Sequence, residues 1–187
     1  DGCGRIRAVT GEGAGRLGSA DYGESPVVPD AQSVGGINID AMLPTSRSRD
    51  VVVVGHGASE LEDLLTAAAA DQDRYIVADP NPEAGYFYRS DHISLAKHGL
   101  PMLYADGGED LREGGTEAGQ AMGADYRANR YHGPADEYSE DWAMSGMVEN
   151  TELFFDVGQR LANSTDWPNW YEGNEFRGLR DAQMGTE

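Results

Sequence analysis

The sequence predicts an α/β domain, and three observations predict it. Residues 51–54 are four consecutive valines, the composition of a strand buried on both faces. Ser59 and Glu62 then stand at capping-box spacing. They open a helix that carries Leu61, Leu64, Leu65, Ala68 and Ala69 on one face. A short apolar run, residues 75–78 (YIVA), follows as a second strand. Strand, capped helix and strand in succession is the repeating unit of α/β architecture.

The other elements can be read around this unit in chain order. Residues 5–10 (RIRAVT) read as a short strand running into the glycine-rich stretch 11–18 (GEGAGRLG). Residues 19–26 are a turn or short helix, and 26–29 an extended link. Residues 34–41 (VGGINIDA) read as a strand with Asp40 at its carboxyl end. Residues 43–50 are polar and loop-like, and 79–85 (DPNPEAG) form a turn-rich connection. Residues 93–98 predict a short helix stopped by Gly99, and 101–105 (PMLYA) another buried strand. Residues 106–124, rich in glycine and acids, read as a long surface loop. Residues 144–162 predict an amphipathic helix with Met144, Met147, Val148, Thr151, Phe154, Phe155, Gly158, Leu161 and Ala162 on its core stripe. The tail, 167–180, holds Trp167, Trp170, Tyr171 and Phe176 and is expected to pack back on the domain. With no repeat and no linker, residues 1–187 read as one domain.

Composition narrows the partners. The net charge is −19, from 33 acids and 14 bases, and Lys97 is the only lysine. That charge excludes nucleic acid and anionic membranes as natural partners. It fits a soluble acidic protein or one adapted to high salt, in which ions screen the self-repulsion. No apolar run approaches the ~20 residues of a membrane-spanning helix. The start, DGCGRIRAVT, lacks the basic and apolar regions of a signal peptide. Cys3 is the only cysteine, which excludes an internal disulfide and a cysteine zinc finger.

Three stretches carry side chains fit for chemistry: 36–41 (GINIDA), 87–92 (FYRSDH) and 125–138 (DYRANRYHGPADEY). Of the four histidines, His92 and His132 have an acid close by in sequence, a combination that suits zinc or acid/base work. His56, in a GHG turn, and His98, before Gly99, read as structural. Glu12 lies just past the first predicted strand, where a site at a sheet edge places a base. Asp40 reads equally as a turn former at a strand's end. Gly13, Gly15 and Gly18 match G-x-G-x-x-G, but no acidic ribose partner follows, so nucleotide binding is not read from them. H-E-x-x-H, H-x-D, CxxC and G-x-S-x-G are all absent.

Five segments occur in an order that resembles a known family. They are VTGEGAGRLGS, INIDA, YRSDH…GLPMLYADGG, YHGPADEY and LANSTDWPNWYEGNEFR. From about residue 9 to 181 the chain resembles the C-terminal part of the co-catalytic zinc exopeptidases, the family of bacterial secreted aminopeptidases and glutamate carboxypeptidase II. The resemblance implies a mixed, mostly parallel sheet flanked by helices, two zinc ions above its strand ends, a peptide substrate and an extracellular or periplasmic location. It implies that Asp40 and His132 are ligands of one zinc, and that Glu12 is the general base that takes a proton from zinc-bound water. Asp91, with His92, is implied to support the metal site or line the pocket, and Arg130 and Tyr131 to line the substrate pocket.

The departures from the family are specific. Gly13 stands where the family has its second glutamate, a zinc ligand. The family's H-x-D segment, which supplies two more ligands, lies well upstream of that pair, and only eleven residues precede Glu12 here. Three of the family's five protein ligands are therefore absent. The resemblance thus implies a catalytic domain incomplete at its N-terminus, holding two zincs, one or none. An uncovered strand edge would invite self-association. Two functional readings stand: a metal-dependent, aminopeptidase-like exopeptidase completed from elsewhere, and a non-catalytic, salt-adapted scaffold or binding domain.

Overall fold

A computed structural model describes residues 4–185; Cys3 lies outside them. Four strands form one sheet: β1 (Gly36–Asn38), β2 (Asp50–Val53), β3 (Tyr75–Ala78) and β4 (Met102–Gly107). Their order is β1-β4-β2-β3. β1 runs parallel to β4, with Ile37 beside Leu103, and β2 runs parallel to β3, with Val51 beside Ile76. β4 and β2 are antiparallel, with Val53 beside Ala105. The sheet is thus mixed and mostly parallel, as the resemblance implies. The carboxyl ends of β1 and β4 lie at one end of the sheet, and those of β2 and β3 at the other.

Each face is covered for an identifiable reason. Val51, Val53, Leu103 and Ala105 point to one face and are buried against α2 (Leu61–Asp71) and α6 (Ser145–Ala162). Leu61, Leu65, Ala68, Leu153, Phe154 and Val157 complete that core. Each buried valine, leucine or phenylalanine of this core contributes about 1.5–3 kcal/mol by leaving water. On the opposite face, after the one-turn helix α3 (Tyr86–Arg89), Ile93 and Ala96 of α4 (His92–Ala96) pack with Leu100, Met102, Trp170 and Phe176. The tail does pack back: Trp170 is fully buried and its Nε1 donates to the Gly99 carbonyl at 2.9 Å. Arg180, buried in α7 (Arg177–Met184), donates to the carbonyls of Asp30 and Ser33.

The capping box forms as its spacing predicts. Leu61 N–H donates to Ser59 Oγ at 3.2 Å, and Ser59 N–H to Glu62 Oε1 at 3.4 Å. Glu62 also accepts from the N–H groups of Gly57 and Ala58, both at 2.9 Å.

Three sequence expectations change. Residues 5–10 form no strand; the segment lies against α1 (Leu17–Glu24), where Gly18 N–H donates to the Thr10 carbonyl. Ile6 and Val9 are exposed, so neither has the apolar contact that makes a strand face favourable. Residues 106–124 are not one long loop, because α5 (Gly115–Asn129) starts inside them. Gly119 in it is a packing position: a Cβ there would come within 2.1 Å of the Glu109 carbonyl oxygen. The buried face of α6 is also rotated by about one residue from the predicted stripe. Gly146, Glu149, Asn150, Leu153, Phe154 and Val157 are buried, while Met144, Val148 and Phe155 are exposed.

That rotation has a polar cause. Buried Glu149 accepts from Arg47 Nε at 3.0 Å and from the Ser48 N–H at 3.2 Å, with Arg112 Nε at 3.4 Å and Arg74 Nε at 3.9 Å. The side chain of Arg74 is wholly buried, so the helix turns its carboxylate inward to meet it.

Candidate active site

Asp40 stands two residues beyond the last residue of β1 and is exposed at the sheet end where β1 and β4 finish. Its orientation is fixed from behind. Ser90 Oγ donates to Asp40 Oδ2 at 2.6 Å and accepts from Asn38 Nδ2 at 2.8 Å. Ser90 is buried, so this relay ties the carboxylate to both β1 and the turn before α4. Asn38 pairs with Tyr104 of β4. Burial, followed by the carboxylates of Asp40 and Asp106, holds the Tyr104 hydroxyl well above the ordinary tyrosine range. Tyr104 is therefore a neutral hydrogen-bonding group.

Asp91 and His92 part company. Asp91 Oδ1 accepts from Ser19 Oγ at 2.6 Å, which ties α1 to α4. His92 is almost completely buried between two rings, Phe87 at 4.7 Å edge-on and Tyr104 at 5.2 Å. Among the described residues neither of its nitrogens has a hydrogen-bond partner. Burial, then the nearby Arg16 cation, lowers its pKa to about 4, so its ring is neutral at physiological pH.

His132 follows α5 in a turn with φ of 56° and is exposed. Its ring stacks on Tyr131 at 3.9 Å and 22°. The Arg130 carbonyl accepts from Gly133 N–H at 2.8 Å and closes the turn. Glu12 stands in a single 3-10 turn between Gly11 and Gly15, both in left-handed conformation. Tyr131 links these pieces. Its pKa is raised by burial and then by Tyr86, with smaller contributions in the same sense from Asp40 and Glu12, while Arg89 opposes. Tyr131, Glu12 and Asp40, drawn from three distant segments, thus share one electrostatic neighbourhood.

A carboxylate at the end of β4 adjoins it. Asp106 is desolvated, and its pKa rises to about 7 although the Gly107 N–H, 2.7 Å from Oδ1, works in the opposite sense. Asp40 adds to the upward shift. Ser90, Tyr104 and Asp106 are the neighbours that the sequence reading missed. Ser90 was accessible in principle, since a hydroxyl one residue before Asp91 is a ready partner for a carboxylate. The places of Tyr104 and Asp106 follow from the β1–β4 register, which no local pattern encodes.

The donor atoms of Asp40 and His132 are of the kinds that bind zinc, but the set is short. Among the described residues no three His, Cys, Asp or Glu side chains lie close enough to hold a metal ion. A catalytic zinc takes three protein ligands. These residues alone therefore do not fit a resident catalytic zinc. Gly13 offers no donor, although a Cβ built there meets no atom within 4 Å.

No match to the chain was found among curated proteins or among solved structures. The sequence profile of Peptidase family M28 matches residues 5–155. Members of that family are metal-dependent peptidases, generally zinc-dependent. With most of its length matched, and with the mixed sheet and the residues at its end as described, this chain belongs to peptidase family M28.

Proposed function

We propose that this chain carries the later part of an aminopeptidase-like exopeptidase site and is catalytically silent by itself. In this reading Asp40 and His132 are two donors toward a zinc ion, and Glu12 is the group that moves the proton. Arg130 and Tyr131 face the peptide substrate, with Asp91 and His92 behind the site. The observation that carries the reading is the convergence of Glu12, Asp40 and Tyr131 on one neighbourhood, beside a Ser90 relay that presets the Asp40 carboxylate. Further donors have a place at β1: among the described residues it pairs with β4 alone, and its other edge lies next to Asp40. A strand added there satisfies the edge and delivers side chains to the same end of the sheet. Extracellular or periplasmic placement and salt adaptation accompany the reading, the latter supported by the charge of −19.

The test is hydrolysis of aminoacyl p-nitroanilides with zinc present. The 187-residue chain is expected to give no turnover above solvent. The same chain extended by upstream sequence of its gene, or mixed with a partner that supplies the missing donors, is expected to turn over. Glu12→Gln in that completed form is expected to lower kcat by about 100-fold or more. Turnover by the 187 residues alone contradicts the proposal, and so does a completed form indifferent to Glu12→Gln.

A further inference from the structure

Glu12 stands in a surface turn that buries none of its own residues. The backbone bonds of this segment are local: Gly18 N–H donates to the Thr10 carbonyl at 2.9 Å, and Leu17 N–H to the Gly11 carbonyl at 3.2 Å. Bonds of that kind fix the shape of the turn and leave its place on the molecule open. Placement needs a side chain that reaches another segment. We propose that Arg16 is a positioning residue, which sets the Glu12 turn against the Asp40 carboxylate. The inference rests on the reading of Glu12 as the group that moves the proton.

The contacts run in an unbroken line from one carboxylate-bearing segment to the other. Arg16 N–H donates to the Glu12 carbonyl at 2.9 Å. Its Nη1 donates to the Arg89 carbonyl at 3.2 Å, across 73 residues of sequence. Arg89 is the last residue of α3, so this carbonyl belongs to the peptide unit it shares with Ser90. Ser90 Oγ in turn donates to Asp40 Oδ2 at 2.6 Å. One arginine thus joins the backbone of Glu12 to the peptide unit from which the Asp40 relay hangs. A second stitch runs beside it. The buried Ser19 Oγ lies 3.1 Å from the Arg16 carbonyl and 2.6 Å from Asp91 Oδ1. Ser19 holds α1 itself, and Arg16 holds the turn that precedes it.

The conformation of Arg16 shows that local preference does not select an arginine here. Its φ is 58°, directly after Gly15 at 98°. Glycine adopts the left-handed region without cost, whereas a residue with a Cβ is strained there. Arg16 Nε is also buried with no hydrogen-bond partner among the described residues. Both features are unfavourable by themselves. What the arginine adds, and a glycine would lack, is the guanidinium bond to Arg89. A base displaced by about 1 Å loses on the order of 100-fold in rate, so such a link acts on turnover more than on folding.

The experiment has two arms and uses Arg16→Gln, Arg16→Gly and Arg16→Lys. In the 187-residue chain, backbone 15N relaxation reads the mobility of residues 11–15. Arg16→Gln and Arg16→Gly are expected to lower the heteronuclear NOE there and to leave α2 and α6 unchanged. Arg16→Lys keeps a donor and is expected to restore most of the order. Arg16→Gly is expected to melt no lower than the parent, because it relieves the left-handed backbone. In the chain extended by upstream sequence, with aminoacyl p-nitroanilides, Arg16→Gln and Arg16→Gly are expected to lower kcat by about tenfold or more, with KM within about twofold. Arg16→Lys is expected to recover most of that loss. A residue serving stability alone would lose melting temperature and kcat together. Unchanged mobility of residues 11–15 in Arg16→Gln overturns the proposal. So does a kcat that falls with Glu12→Gln and is indifferent to Arg16→Gln, which leaves the reading of Glu12 standing. A kcat indifferent to Glu12→Gln overturns that reading and, with it, the positioning role.

Discussion

Asp106 and His92 both border Tyr104, and they titrate in opposite senses. Burial raises Asp106 to about 7, from an ordinary 3.8. The folded chain therefore keeps a proton that the unfolded chain gives up, and the stability this confers is complete below the unfolded value and lost as pH rises through 7. Burial lowers His92 to about 4, from 6.5. Its contribution is present above 6.5 and lost as pH falls through 4. Between these values the two slopes offset each other. Asp106→Asn keeps an Oδ1 acceptor for Gly107 N–H and Asn150 Nδ2 and removes one of the slopes. Urea unfolding at pH 4, 5, 6.5 and 7.5 should show the variant gaining stability with pH more steeply than the parent. At pH 7.5 it should exceed the parent by on the order of 2 kcal/mol. Equal pH profiles for the two proteins would show that Asp106 ionises like a surface carboxylate.

At the scale of elements, the legible parts were those whose burial follows a local rule. The valine run, the helix opened by Ser59 and Glu62, and the strand at Tyr75–Ala78 all follow from spacing in single stretches. Helix α5 did not, because its sequence, GTEAGQAMGADYRAN, sets three glycines four residues apart. Helix propensity penalises each glycine by about 1 kcal/mol, and at Gly119 the close approach of the Glu109 carbonyl explains the choice. Gly119→Val is accordingly expected to destabilise by about 1–3 kcal/mol through overpacking on the Glu109 carbonyl. Gly158→Ala in α6 meets no atom within 4 Å and is expected to stabilise by up to about 1 kcal/mol. Thermal unfolding of the two variants separates these signs; a neutral Gly119→Val would remove the packing explanation for α5. The phase of α6 was illegible for a related reason. Its Glu149 faces inward to meet Arg47, Arg74 and Arg112, partners that lie far away in sequence. In the candidate site, Glu12, Asp40 and Tyr131 could be named from segments, whereas the places of Tyr104 and Asp106 needed the register of β1 on β4.

For the whole molecule, a charge of −19 on 187 residues makes the compact state repel itself until ions screen it. Raising KCl from 0.1 to 2 M shortens the screening length to a few ångströms. The melting temperature is expected to rise by about 3 °C or more, roughly 1 kcal/mol for a chain of this size. A flat or falling Tm over that range would remove salt adaptation from the account. The same scale decides the central claim, that these residues hold only part of a metal site. The most direct measurement is zinc per folded chain, by elemental analysis after dialysis against trace zinc in high salt. With no three His, Cys, Asp or Glu side chains grouped among the described residues, Asp40 and His132 predict well under one zinc per chain. One or two zincs held tightly through dialysis would contradict the account, because the 187 residues would then contain a complete donor set.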